Sequence, residues 1–203
     1  MELREALRQI SEIRQQMAQT EVFRGYRSLT VGFSGVLGLA AAIMQALWIP
    51  DPEGNLFRFV GLWFATAVIG LTVAGGEMYL KARRDGPGLS RDMVTLAVEQ
   101  FMPCLLVGAL LTFSICVGAP QAGWMLPGLW SLLFSLGVFA SYRLLPRQAF
   151  WVGVYYATCG CICLFWGQGS QILAPWQMAL SFGGGQLLGA AILYWNLERN
   201  HAS

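Results

Sequence analysis

The sequence predicts an all-α integral membrane protein: a bundle of six transmembrane helices behind an amphipathic cytoplasmic helix. Three observations predict it. Hydrophobic residues make up 56% of the 203 and charged residues only 12%, whereas a soluble domain dresses its surface with about a quarter charged residues. Six apolar windows each approach the roughly 20 residues that an α-helix needs to cross a hydrocarbon core about 30 Å thick. Threaded through a bilayer, those windows leave 12 of the 13 Lys and Arg on one side, the bias of cytoplasmic connections.

Residues 1–27 come first, without the short basic stretch, apolar core and small-residue site of a removable signal peptide. Leu3, Ala6, Leu7, Ile10, Ile13 and Met17 recur at helical spacing, with Glu2, Arg4, Glu5, Arg8, Glu12 and Arg14 around the rest of the wheel. Positions 3, 6, 10, 13 and 17 fit a short heptad. Residues 2–20 are therefore expected to pack on the protein's own cytoplasmic end, on a second copy, or on a cytoplasmic partner. Lying on lipid is disfavoured, because the apolar face lacks Trp and Phe and the polar face is not mainly basic.

The membrane domain is expected over 28–197, with spans at about 29–49, 59–80, 93–117, 123–142, 149–166 and 176–195, and a cytoplasmic tail at 198–203. Turn chemistry separates them: Pro50-Asp51-Pro52, Asp85-Gly86-Pro87-Gly88, Gly118-Ala119-Pro120, Pro146-Arg147 and Gly167-Gln168-Gly169-Ser170. Basic residues cluster before the first span, in the second and fourth connections and in the tail. Only Arg58 lies opposite, beside Asp51 and Glu53. Both termini are thus expected in the cytoplasm. Tryptophans 48, 124, 166 and 176 fall at outer ends, and 151 and 195 at inner ends, as indole rings at a lipid–water boundary do. The absence of an Asn-x-Ser/Thr acceptor fits a bacterial inner membrane.

An internal repeat is suggested by Phe59-Val60-Gly61-Leu62-Trp63-Phe64-Ala65-Thr66, which aligns without gaps to Trp151-Val152-Gly153-Val154-Tyr155-Tyr156-Ala157-Thr158. Phe101, Leu106, Gly108 and Ala109 likewise align with Phe182, Leu187, Gly189 and Ala190. The first and fourth spans match poorly. Three spans per unit is an odd number, so the second unit would enter from the opposite side, the inverted-repeat design that places substrate near the midplane.

Two ionisable residues fall inside the expected spans, Glu77 and Glu99, and a charge in hydrocarbon costs several kcal/mol. Glu77 has Lys81 one turn later, close to the boundary, so the two are expected to form an interfacial ion pair. Glu99 is followed by Pro103, which cannot return a backbone hydrogen bond to the carbonyl of Glu99. Carboxylate, freed carbonyl and the amide of Gln100 offer oxygens suited to a proton, a cation or an amine. An ion pair with an arginine such as Arg143 is the architectural alternative. Thr66, Thr158 and Gln186 fall near mid-membrane, where polar side chains line a path or join helices. Gly185 and Gly189, four apart, let two helices approach closely; with Gly183 and Gly184 they also weaken the helix locally.

The five cysteines all lie in apolar runs, so no disulfide framework is expected. Cys159 and Cys163 share a helix face that Cys161 does not, so they are expected to behave as buried apolar residues without a metal. The sole histidine, His201, lies in the tail. No nucleophile–base pair, phosphate loop or paired acids appear, so neither catalysis nor a cofactor is expected. A net charge of +2 gives no footprint for nucleic acid. What remains is a transporter, channel or solute-binding subunit for a small solute or cation, or a membrane anchor or sensor working through residues 2–20.

Overall fold

A computed structural model describes residues 28–84, 89–141 and 147–195, with positions 78, 81–84 and 89–98 described by their backbone alone. The amphipathic segment at 2–20, the side chain of Lys81, Arg143 and the tail at 198–203 lie outside the described residues.

The described chain is helical throughout, with no strand among the described residues. In order the helices are α1 (Ser28–Trp48), α2 (Leu56–Arg84) and α3 (Leu89–Gly118). A 3-10 turn, Pro120–Met125, leads into α4 (Leu126–Ala140), and α5 (Ala149–Trp166) follows. After a second 3-10 turn, Gly169–Gln171, the last helical stretch runs through α6 (Pro175–Met178), a π-helical segment (Ala179–Gly184) and α7 (Gly185–Leu193). Pro120, Pro127 and Pro175 each stand in a first turn, where the missing N–H has no partner to lose.

Among the described residues five segments are long and apolar enough to cross a bilayer: Ser28–Trp48, Leu56–Glu77, Glu99–Gly118, Pro120–Ala140 and Ala149–Trp166. The stretch expected to be the sixth span is helical, but its α-helix is broken in the middle by wider π turns. With 29 and 30 residues, α2 and α3 are about 45 Å long at the helical rise. They overshoot a hydrocarbon core of about 30 Å, and the surplus lies at the end that carries Arg84 and Arg91.

From α1 to α5 each helix packs on the next, and the last stretch packs on α5 and returns to α1, with the α4–α5 and α1–α7 pairs the most extensive. Burial is uneven around this ring. Between 39% and 44% of the spanning residues of α1, α4 and α5 are buried, against 17% for α2 and 6% for α3, so α2 and α3 flank a tighter core. Exposed Phe64, Val68, Leu106, Leu110 and Phe113 on these two helices make an outer surface that suits hydrocarbon and not water. Several apolar helices with such an outer face indicate embedding in a membrane.

At the α4–α5 crossing, a Cβ on Gly128 would stand 2.9 Å from the carbonyl oxygen of Gly160, and one on Gly160 the same distance from the carbonyl oxygen of Gly128. Small residues are what bring two backbones this close. The triple glycine works similarly. A Cβ on Gly183 would meet Leu39 of α1, while Cβ atoms on Gly184 and Gly185 would strike Tyr155 and Tyr156 of α5. Close packing and a local departure from α-helix, offered by the sequence as alternatives, coexist there.

Towards the basic end, Phe134 makes edge or tilted ring contacts with Phe101, Tyr156 and Phe182, joining α3, α4, α5 and the π segment. Towards the opposite end, Phe59 and Trp63 of α2 pack with Ala41, Ala42, Cys116, Leu126, Leu173 and Met178. The two octets aligned as a repeat bury different faces. Phe59 and Trp63 are buried in the first, whereas Trp151, the counterpart of Phe59, is exposed and Val152 and Tyr156 are buried in the second.

Candidate functional site

Two polar regions sit in the apolar bundle, one near each end. The first is built on Gln45, in the last turns of α1, and Gln177, in α6, both fully buried. A buried amide is stable only if its hydrogen bonds are made. Gln45 Nε2 donates to the carbonyl of Leu173 at 2.7 Å, and Gln45 Oε1 accepts from Trp63 Nε1 at 2.9 Å. One amide therefore ties α1 to α2 and to the connection before α6. That connection has an unusual backbone: Leu173 has φ 51°, the left-handed region, while its side chain is buried in the core. The bond from Gln45 and the surrounding packing hold it there against a conformation that a branched residue seldom adopts.

Gln177 Nε2 donates to the carbonyl of Gln171 at 2.6 Å, and Gln171 Oε1 accepts from Trp176 Nε1 at 2.7 Å. Ser181 Oγ donates to the carbonyl of Gln177 at 2.7 Å, with Cys163 Sγ 4.0 Å from the same oxygen. Gln177 Oε1 is buried without a hydrogen-bond donor. A cavity of only about 30 Å³ opens beside this region, between Glu53, Leu56, Trp124 and Leu173, room for about one water. These bonds tie α1, α2, α6 and the connection before α6 together as a structural lock.

The second region lies at the basic end of α3. Glu99 lies about 15 Å along α3 from Leu89 at the helical rise, within the span expected at 93–117. Its side chain is exposed, and no hydrogen bond or ion pair reaches it among the described residues. Gln100 beside it is half-buried, with Oε1 enclosed and without a donor. Pro103 is exposed, and α3 continues through it as an α-helix; the carbonyl of Glu99 thus lacks its usual amide partner.

The other residues singled out from sequence stand elsewhere. Thr66 in α2 and Thr158 in α5 donate within their own helices, to the carbonyls of Leu62 at 2.8 Å and Val154 at 2.9 Å. Gln186, in α7, is half-buried. Each lies about 15 Å into its helical stretch at the helical rise, hence at mid-depth, and no hydrogen bond joins any of them to Glu99. Glu77 is half-buried and accepts a hydrogen bond from Thr30 Oγ1 of α1, a link between helices that spacing along α2 alone does not reveal. Gly189 is buried, its Cα facing Val31 of α1.

Cys159 and Cys163 are buried on one face of α5 and Cys161 is exposed on another. Among the described residues no three His, Cys, Asp or Glu side chains are placed to hold a metal. Sequence reasoning passed over Gln45 and Gln177. The signal was available, since an amide inside an apolar window must find partners wherever it is buried. Comparison with protein-family models, curated proteins and solved structures finds no match to this chain.

Proposed function

We propose that this chain crosses the membrane six times, with both termini on the side of the basic connections, and handles a small cation or amine-bearing solute as a transporter, channel or solute-binding subunit. The bacterial inner membrane is its proposed location, and it works without catalysis of its own. The broken α6–π–α7 stretch is the sixth span, since from Pro175 to Leu193 it is long enough to cross at the helical rise.

One observation carries the reading. Glu99 is a carboxylate in an apolar helix with no partner among the described residues, next to an enclosed amide oxygen that also lacks one. Intramembrane acids of this kind mark ion or substrate paths, and oxygen donors suit hard cations, protons and ammonium groups. Thr66, Thr158 and Gln186 are the proposed further polar steps, because a hydroxyl that donates to its own helix keeps its acceptor lone pairs. The inverted repeat is not needed for this reading, as the two octets bury different faces.

The test is flux into proteoliposomes, or ligand-dependent thermal shift, across a panel of monovalent cations, protons and small amines. Glu99→Gln keeps the shape and removes the charge. It is expected to lower flux or apparent affinity by roughly tenfold or more, the scale of a lost charge-assisted bond. Wild-type behaviour with every active ligand removes Glu99 from the mechanism. For the topology, reporters fused after Gly86 and after Gly118 are expected in opposite compartments; the same compartment for both refutes the six-span order.

A further inference from the structure

The end opposite the basic connections carries a cleft that the proposed pathway does not use. It has a volume of about 330 Å³, between the end of α1 and the start of α2, and is lined by Met44, Trp48, Ile49, Arg58, Gly61 and Leu62. Its walls are apolar, apart from the guanidinium. Trp48 and Arg58 form the rim, both exposed. Met44 and Leu62 lie one helical turn further in, about 5–6 Å deeper at the helical rise. Gly61 makes the space: a Cβ built on it meets no atom within 4 Å.

Among the described residues Arg58 is the only basic one at this end of the bundle, and no acid pairs with it. Asp51 Oδ1 accepts from the backbone N–H of Gly54 at 3.0 Å, and Glu53 lines the small cavity on the other side of the start of α2. Arg58 also stands in the first turn of α2, where the positive end of the helix dipole adds to its charge.

A guanidinium without an ion pair among the described residues, over an apolar cleft one turn deep that opens to lipid, complements the shape and charge of an anionic phospholipid. Guanidinium binds phosphate oxygens in a planar, two-pronged geometry. The cleft below removes hydrocarbon from no water, so its selectivity comes from fit. We infer that this cleft is a binding site for one anionic phospholipid, its phosphate on Arg58 and the upper part of one acyl chain over Gly61 between Met44 and Leu62. The site is independent of Glu99, which lies at the other end of the bundle.

Native mass spectrometry of the full chain released from detergent, titrated with dioleoyl phosphatidylglycerol, tests this. Wild type is expected to hold one lipid more tightly than the rest, and to hold it better than dioleoyl phosphatidylcholine. Arg58→Gln removes the charge, and Gly61→Leu puts a branched side chain into the cleft from a position whose Cβ has open space. Each is expected to weaken that first binding step about tenfold, a loss of one good contact. Gly76→Leu is the control, because a Cβ there also meets open space on the same helix near its other end; it is expected to bind as wild type. Unchanged binding in both Arg58→Gln and Gly61→Leu overturns the site, as does equal loss in Gly76→Leu, which reports only a lipid shell. Displacement of the lipid by millimolar inorganic phosphate, with Gly61→Leu unaffected, also overturns it, because the cleft would then play no part.

Discussion

Gly160→Leu is expected to leave the bundle unable to assemble, and Gly160→Ala to lower its stability by about 3 kcal/mol, the upper end of the cost of overpacking a tight core. The reason is what stands opposite. A Cβ on Gly160 falls 2.9 Å from the carbonyl oxygen of Gly128 and 2.8 Å from Leu132 Cγ. A side chain can rotate aside, whereas a helix backbone can retreat only by separating α4 from α5. That pair is the most extensive contact in the molecule. The reciprocal change, Gly128→Ala, meets the carbonyl of Gly160 at 2.9 Å and Leu164 besides, and is expected to cost as much. Gly75→Ala provides the comparison, since a Cβ there meets nothing within 4 Å and alanine improves helix propensity by up to about 1 kcal/mol. Unfolding in mixed micelles as denaturing detergent is raised would show the two glycine classes apart. Gly160→Ala and Gly75→Ala unfolding at the same point would mean that α4 and α5 do not meet there.

What the sequence made legible follows from the solvent it was written for. Apolar windows at 29–49 and 149–166 and the turn residues between them locate α1 and α5 to within a residue or two, because a lipid-facing backbone must close its hydrogen bonds within each segment. Composition does not record where a helix extends beyond lipid, so α2 and α3 are longer than their expected windows. Pairing is hidden for a related reason. Lipid-facing and protein-facing side chains are both apolar, so periodicity does not separate the exposed Leu106 and Leu110 of α3 from the buried Leu126 of α4. Glycines report closeness better than leucines do: Gly185 and Gly189 were readable as a packing face, while Gly128 and Gly160, on different helices, form a pair only in three dimensions. Glu99 was readable because a carboxylate is conspicuous among leucines. Gln45 was not singled out, although burial makes its demands as strict.

That strictness gives the second large effect. Gln45→Leu keeps the volume of the side chain and removes both its donor and its acceptor, leaving Trp63 Nε1 and the carbonyl of Leu173 buried together without partners. Each stranded group costs about 1–3 kcal/mol, so a loss of about 2–6 kcal/mol is expected, with faster hydrogen exchange in the connection at 167–174, which Gln45 ties to α1. Trp63→Phe strands only Gln45 Oε1 and is expected to cost about 1–2 kcal/mol beyond the lost ring volume. The double variant discriminates between a shared bond and two separate defects. With indole and amide both gone, neither leaves the other unsatisfied, and only the Leu173 carbonyl remains without its donor. The double loss should therefore fall short of the sum of the single losses by about 2 kcal/mol or more, a coupling expected of side chains in direct contact. Additivity would place Trp63 and Gln45 out of hydrogen-bonding reach.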